Sequence, residues 1–194
     1  MSFIYLIRHG ETDAVGRTLV SWLPGVPINA RGREQAGALP QRLADIEFAA
    51  IYSSPLERAM QTAAPLARAT GLEIRQCPEV GEFRFGGWTG ASIPALASDP
   101  LWQRFNRFRS RTRAPEGELM VEVQARMVTA LEAMAERHPH ANIAVFSHAD
   151  AIRAAATFYL GMPIDLVERI EIEPASITLL RLEPLFVQVL KLNA

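Results

Sequence analysis

The stretch Phe3-Ile4-Tyr5-Leu6-Ile7-Arg8-His9-Gly10-Glu11-Thr12 starts as an apolar run and ends in a polar cluster. Two later stretches repeat that design. Ala49-Ala50-Ile51-Tyr52 runs into Ser53-Ser54-Pro55-Leu56-Glu57-Arg58, and Ile143-Ala144-Val145-Phe146 runs into Ser147-His148-Ala149-Asp150. Short runs rich in branched and aromatic residues suit strands buried on both faces, as in a parallel sheet. Helical patterns occupy residues 32–43, 56–69, 119–137 and 149–160. This alternation predicts an α/β fold: a three-layer α/β/α sandwich around a mostly parallel central sheet.

In an open α/β sheet the crevice beyond the carboxyl ends of the strands receives ligands. The polar clusters therefore deliver two histidines and two arginines to one place. Ser54 and Glu57 have the spacing of a capping box, with Pro55 at the first helical position, which puts Arg58 in the first turn of a helix. Ser147 and Asp150 repeat the Ser-x-x-acid pattern, so a second helix should begin at His148 with free N–H groups near Ala149. Helix N-termini favour anions. The expected pocket is cationic and of phosphate size.

The rest of the chain frames that pocket. Strand-like segments at 177–182 and 186–190, separated by Glu183-Pro184, read as a terminal hairpin at the sheet edge. Residues 85–117, with Gly86, Gly87, Gly90, Pro94 and Pro100, fit the alternation least well and read as a cap-like insertion over the site within a single domain spanning 1–194. Inside it, Leu101, Phe105 and Phe108 form one helical stripe, and Arg104, Arg107 and Arg111 another. The bland reading is an amphipathic helix with a solvated basic face. The functional one has Arg107 and Arg111 drawing in an acidic substrate.

Composition narrows the classes. A chain of 194 residues with 49% hydrophobic residues can bury a substantial core. Lys and Arg total 20 against 21 for Asp and Glu, a net charge of -1, so no nucleic-acid or membrane partner is expected. Cys77 is the one cysteine, which removes intrachain disulfides and the usual thiolate zinc site. With the first apolar run interrupted at Arg8, a cytoplasmic location is expected. No metal site or cofactor motif is expected, since His138 and His140 have no ligand-like spacing and there is no Walker-type sequence.

Arg8-His9-Gly10-Glu11-Thr12, the run from Ser53 through Arg58 and on through Ala59-Met60-Gln61-Thr62-Ala63, and Ser147-His148 closely resemble the histidine phosphatase superfamily, also called phosphoglycerate mutase-like. Arg31-Gly32-Arg33-Glu34-Gln35-Ala36 and Glu82-Phe83-Arg84-Phe85-Gly86-Gly87-Trp88 look like two further blocks, in the family's order. The resemblance implies a metal-independent phosphatase acting on phosphate monoesters through a phosphohistidine. His9 would be the nucleophile, with Arg8, Arg58, His148 and the backbone at Ala149 around the phosphate, and Glu82 the general acid. Physical chemistry agrees with these roles: an imidazole among guanidiniums stays neutral, guanidinium makes paired bonds to phosphate, and an alkoxide needs a proton to leave.

Each residue also has a plainer reading, as a satisfied strand-end histidine, an exposed helical arginine or a solvated loop carboxylate. Thr12, Trp22, Arg107 and Arg111 are the candidates for substrate contact, and the partner is a small phosphorylated molecule. The chain departs from the family pattern in having Asp13-Ala14-Val15-Gly16 where an Asn is common, Thr89 after Trp88 where Glu is common, and Ala149-Asp150 where Gly-Gly is common. A phosphoglycerate mutase using the same intermediate, or a weakly catalytic phospho-ligand-binding module, are the alternatives. Neither the substrate's organic half nor the oligomeric state is legible.

Overall fold

The computed structural model describes residues 1–183 and 185–194, so Pro184, expected in the hairpin break, lies outside the described residues. The three apolar runs form the centre of a six-stranded sheet: β1 (Ser2–Arg8), β2 (Phe48–Ser53) and β4 (Asn142–Ser147). A short strand not anticipated from sequence, β3 (Ile74–Gln76), lies on one edge. The tail supplies β5 (Ile177–Glu183) and β6 (Phe186–Lys191) at the other. The order is β3-β2-β4-β1-β5-β6. The first four are parallel, whereas β5 runs antiparallel to β1 and β6 antiparallel to β5.

Side chains alternate across the sheet and build a core on each face. Tyr5, Ile7, Ile51, Ala144 and Phe146 pack on one side against Leu39 of α1 (Ala30–Arg42) and Ala59, Ala63 and Leu66 of α2 (Glu57–Thr70). Ile4, Leu6, Tyr52, Ile143 and Val145 pack on the other. The insertion carries α3 (Ile93–Leu96) and α4 (Pro100–Arg107), and the second face is covered mainly by α5 (Met120–Arg137) and α6 (Ala149–Tyr159). Each fully buried Leu, Ile or Phe contributes roughly 1.5–3 kcal/mol, so both faces of the sheet must be covered. The three-layer α/β/α reading holds.

Several local expectations need correction. Helix α2 begins two residues later than the capping-box pattern implies, with Leu56 at the N-cap and no side-chain cap bond. The Ser54 hydroxyl accepts from the Leu56 N–H at 3.3 Å and is shared with His148. Ser147 does not cap α6 either: its hydroxyl donates to the Val80 carbonyl at 2.6 Å, and His148 is the N-cap. Both serines were drawn from the caps into contacts at the ends of the strands. His138 is not a solvated helix end, because its Nε2 meets the Tyr52 hydroxyl at 3.0 Å.

The two ends of the insertion meet at Gly86, which has φ of 55°. A Cβ there would run into the Pro115 carbonyl, so the close approach of the two segments needs glycine. Trp88, Trp102 and Phe105 then form an aromatic cluster, with Trp102 stacked on Phe105 at 5.6 Å between centroids. Of the apolar stripe read from the sequence only Phe105 is buried: Leu101 is exposed, and Phe108 lies just past the end of α4 and is half-buried.

Candidate active site

Beyond the carboxyl ends of β1, β2 and β4 lies a cleft of about 440 Å³, lined among others by Arg8, His9, Thr12, Arg58, Glu82 and Ala149. A larger depression of about 820 Å³ lies elsewhere, between the start of β1, α5 and the terminal hairpin, and holds none of the candidate side chains. The smaller cleft is therefore the candidate, on the chemistry of its lining.

His9 is 4% exposed at the end of β1. Its Nδ1 lies 2.7 Å from the Gly10 carbonyl oxygen, a pure acceptor, so Nδ1 carries the proton and donates. Burial foremost, then the Arg58 and Arg8 guanidiniums, hold the ring's pKa well below the ordinary 6.5. In that neutral tautomer the lone pair is on Nε2. The Gly10 loop is fixed from α2: the Gly10 N–H donates to the Thr62 hydroxyl at 2.9 Å, which donates to the Arg58 carbonyl at 2.7 Å.

The His148 ring lies 5.1 Å from that of His9, centroid to centroid, fully buried behind the cleft. Its Nε2 is 2.8 Å from the Ser54 hydroxyl. Burial and then Arg58 also push its pKa well below 6.5. Arg58 is 1% exposed, and one terminal nitrogen donates to the Ser21 carbonyl at 2.8 Å. Arg8 donates from Nη1 to the Ile172 carbonyl at 2.6 Å. Each guanidinium is thus anchored on one side by a backbone carbonyl while lining the cleft, a preorganised pair of donors for an oxyanion.

Glu82 enters from the loop after β3. Burial foremost, then the Asp150 carboxylate, raise its pKa from 4.5 to about 7, against the opposing pull of the Phe83 N–H and of Arg58 and Arg8. Its Oε1 accepts from that N–H at 2.8 Å. The loop is held from below by Arg126 of α5, which donates to the carbonyls of Glu79, Gly81 and Glu82 at 2.6, 2.8 and 3.0 Å. A carboxyl that is half protonated near neutrality can deliver and recover a proton.

Of the residues proposed for substrate contact, Thr12 lines the cleft and keeps a buried, unpartnered hydroxyl. Trp22 does not line it: the indole N–H is spent on the Glu82 carbonyl, and the Arg84 guanidinium lies 3.7 Å over the ring. Arg107 and Arg111 are exposed and both lie over the Phe108 ring, away from the cleft, because α4 ends at Arg107 and the helical stripe that would have aligned them stops there. The arginine that the insertion does contribute is Arg109, 4% exposed. It pairs with Glu168 and with Asp150 at 3.5 Å. Asp150 is in the cleft lining, where Arg153 also holds it at 3.3 Å. Arg109, Arg153 and Ser21 had no sequence signal beyond residue type. Among the described residues, no group of three or more His, Cys, Asp or Glu is placed to hold a metal ion.

The model of a family described as the histidine phosphatase superfamily (branch 1) matches residues 4–194. A probable phosphoglycerate mutase, GpmB, of Escherichia fergusonii is 29% identical over 177 residues, covering 90% of this chain and 82% of that protein. Phosphoserine phosphatase 1 of Hydrogenobacter thermophilus is 29% identical over 195 residues, covering 98% and 91%. Among solved structures, a mycobacterial glucosyl-3-phosphoglycerate phosphatase in complex with VO3 superposes with a TM-score of 0.88 at 27% identity, covering 99% of this chain and 98% of that one.

Proposed function

The chain belongs to the histidine phosphatase superfamily, and from that premise we propose that it hydrolyses phosphate monoesters through a phosphohistidine formed on His9, as one domain with residues 85–117 as its cap. The observation that carries this reading is the His9 tautomer: Nδ1–H bonded to the Gly10 carbonyl, in a ring kept neutral by burial and two guanidiniums, leaves Nε2 as a free lone pair.

In the first step Nε2 attacks phosphorus in line with the ester oxygen. Arg8, Arg58, His148 and the backbone at Ala149 hold the non-bridging oxygens as charge develops. The phosphorus–oxygen bond breaks, and protonated Glu82 gives its proton to the departing alkoxide. In the second step the Glu82 carboxylate takes a proton from water, whose oxygen attacks phosphorus. The phosphorus–nitrogen bond breaks, returning the electron pair to Nε2 and releasing phosphate with Glu82 protonated again. Metal independence is part of the proposal, because the two guanidiniums already bring the positive charge a divalent ion would supply. A cytoplasmic location is part of the proposal. Among the described residues no helix is long and apolar enough to cross a membrane.

The likeness to a probable phosphoglycerate mutase favours a second reading, in which the phosphohistidine returns its group to another hydroxyl. A panel of phosphomonoesters, assayed with chelator and without any bisphosphoglycerate primer, separates the two. Hydrolysis is expected for the wild type, falling about 10³-fold or more in His9→Ala, with an acid-labile phosphoryl group trapped on His9. Undiminished turnover in His9→Ala would overturn the proposal.

A further inference from the structure

Outward from the phosphate end, the cleft lining divides into two kinds of surface. One is a network of charges in which carboxylates outnumber guanidiniums. Arg109 pairs with Asp150 and Glu168. Arg153 pairs with Asp150 at 3.3 Å, Glu168 at 3.5 Å and Glu171 at 4.0 Å, and its Nε–H donates to the Ile170 carbonyl at 2.8 Å. Two guanidiniums therefore meet three carboxylates. Arg109 keeps its Nε and Nη1 buried, with Nη1 turned to Asp150 at 3.5 Å. The remaining arginines of the insertion do not help, since Arg104, Arg107, Arg111 and Arg113 are all outside the cleft lining.

The other surface is apolar and rigid. Leu19, Val20, Phe85, Ile93 and Trp102 line it. Trp102 is fixed by its stack on Phe105 and by an edge contact with Trp88 at 5.1 Å. The cleft's 440 Å³ also leaves room for a ring beyond the phosphoryl group.

A carboxylate carried on the leaving alcohol would enter this region with no uncommitted cation to receive it and with Asp150 and Glu168 nearby. Desolvating it there is costly. An uncharged group with an apolar face loses nothing to the charge network and gains contact area on the other surface. We infer that this cleft selects phosphate monoesters whose alcohol is uncharged and carries an apolar or aromatic face, over phosphorylated carboxylic acids. The inference rests on the phosphatase reading, and it concerns which ester that site takes.

The test compares four esters of primary alcohols, so that the chemistry at phosphorus is matched: benzyl phosphate and a nucleoside 5′-monophosphate against O-phosphoserine and 3-phosphoglycerate. With wild-type protein at low salt, kcat/KM is expected to be at least about tenfold higher for the first pair, with most of the difference in KM. Equal or higher kcat/KM for O-phosphoserine or 3-phosphoglycerate overturns the inference while leaving hydrolysis intact. Absence of hydrolysis of all four overturns the phosphatase reading and this inference with it.

Discussion

The indole N–H of Trp22 donates to the backbone carbonyl of Glu82 at 2.7 Å. Trp22 comes from the loop after β1 and Glu82 from the loop after β3, so this bond, together with the one from Arg126 to the same carbonyl, fixes the backbone from which the carboxyl reaches over the cleft floor. Trp22 is then a positioning residue for the proton donor. In Trp22→Phe, kcat for an alkyl phosphate is expected to fall about tenfold, and for p-nitrophenyl phosphate, whose leaving group needs little protonation, by less than about twofold. Steady-state kinetics on both esters checks this. An equal loss on both would mean that Trp22 only supports the fold.

Glu82 titrates at about 7 because of burial and the Asp150 carboxylate. If it delivers the proton, turnover of alkyl phosphates declines as pH rises through about 7, and Glu82→Gln abolishes that limb along with most of the activity. The same shift bears on stability. The unfolded carboxyl ionises near 4.5 and the folded one near 7, so the group's contribution is fully present below 4.5 and is lost as pH rises through 7. Glu82→Gln should therefore gain stability relative to wild type between these values, then level off. Urea midpoints of both proteins across pH 4.5 to 8 report it, and a difference independent of pH would contradict the raised pKa.

Much of this site was legible because it sits where chain and chemistry coincide. Each of His9, Arg58 and His148 lies within five residues of the end of a strand, and the strands announce themselves as apolar runs. What was not legible depends on side-chain reach across the fold. Ser54 and Ser147 looked like helix caps because the capping pattern is local, whereas their hydroxyls are taken by His148 and the Val80 carbonyl, far away in sequence. Arg107 and Arg111 looked useful because a regular helix would align them, but α4 stops at Arg107 and the chain turns Arg109 inward instead. Strand β3, with only three residues, leaves no periodicity to read.

Those three arginines give a direct contrast. Removing Arg109 leaves Asp150 and Glu168 with Arg153 as their remaining guanidinium partner, and Arg109→Leu is expected to cost about 2 kcal/mol of unfolding free energy. Arg107→Ala and Arg111→Ala should each stay within about 0.5 kcal/mol and leave KM unchanged. Denaturant unfolding of the three variants, with KM for one good substrate, checks the ranking. A rise in KM in Arg107→Ala or Arg111→Ala would restore a substrate role to the exposed pair.

The two buried imidazoles make the protein acid-sensitive in a defined window. Both His9 and His148 are held neutral, first by burial and then by guanidiniums. Their folded pKa values lie well below 6.5, so as pH falls through 6.5 the unfolded chain takes up protons that the folded chain refuses. Stability from these rings is present above 6.5 and is lost below it, at up to about 1.4 kcal/mol per pH unit for each ring. Between pH 6.5 and 5.5 few carboxylates other than Glu82 interfere, and Glu82 acts in the opposite direction over that range. His148→Gln should therefore flatten the pH dependence of unfolding free energy by about 1 kcal/mol per unit, whatever its absolute stability. Urea titrations at pH 6.5, 6.0 and 5.5 supply the slopes. If the variant and wild type share one slope, His148 takes up its proton equally in the folded and unfolded protein, and if the variant's slope is the steeper one, His148 is protonated in the fold and the site holds a third positive charge rather than a neutral donor.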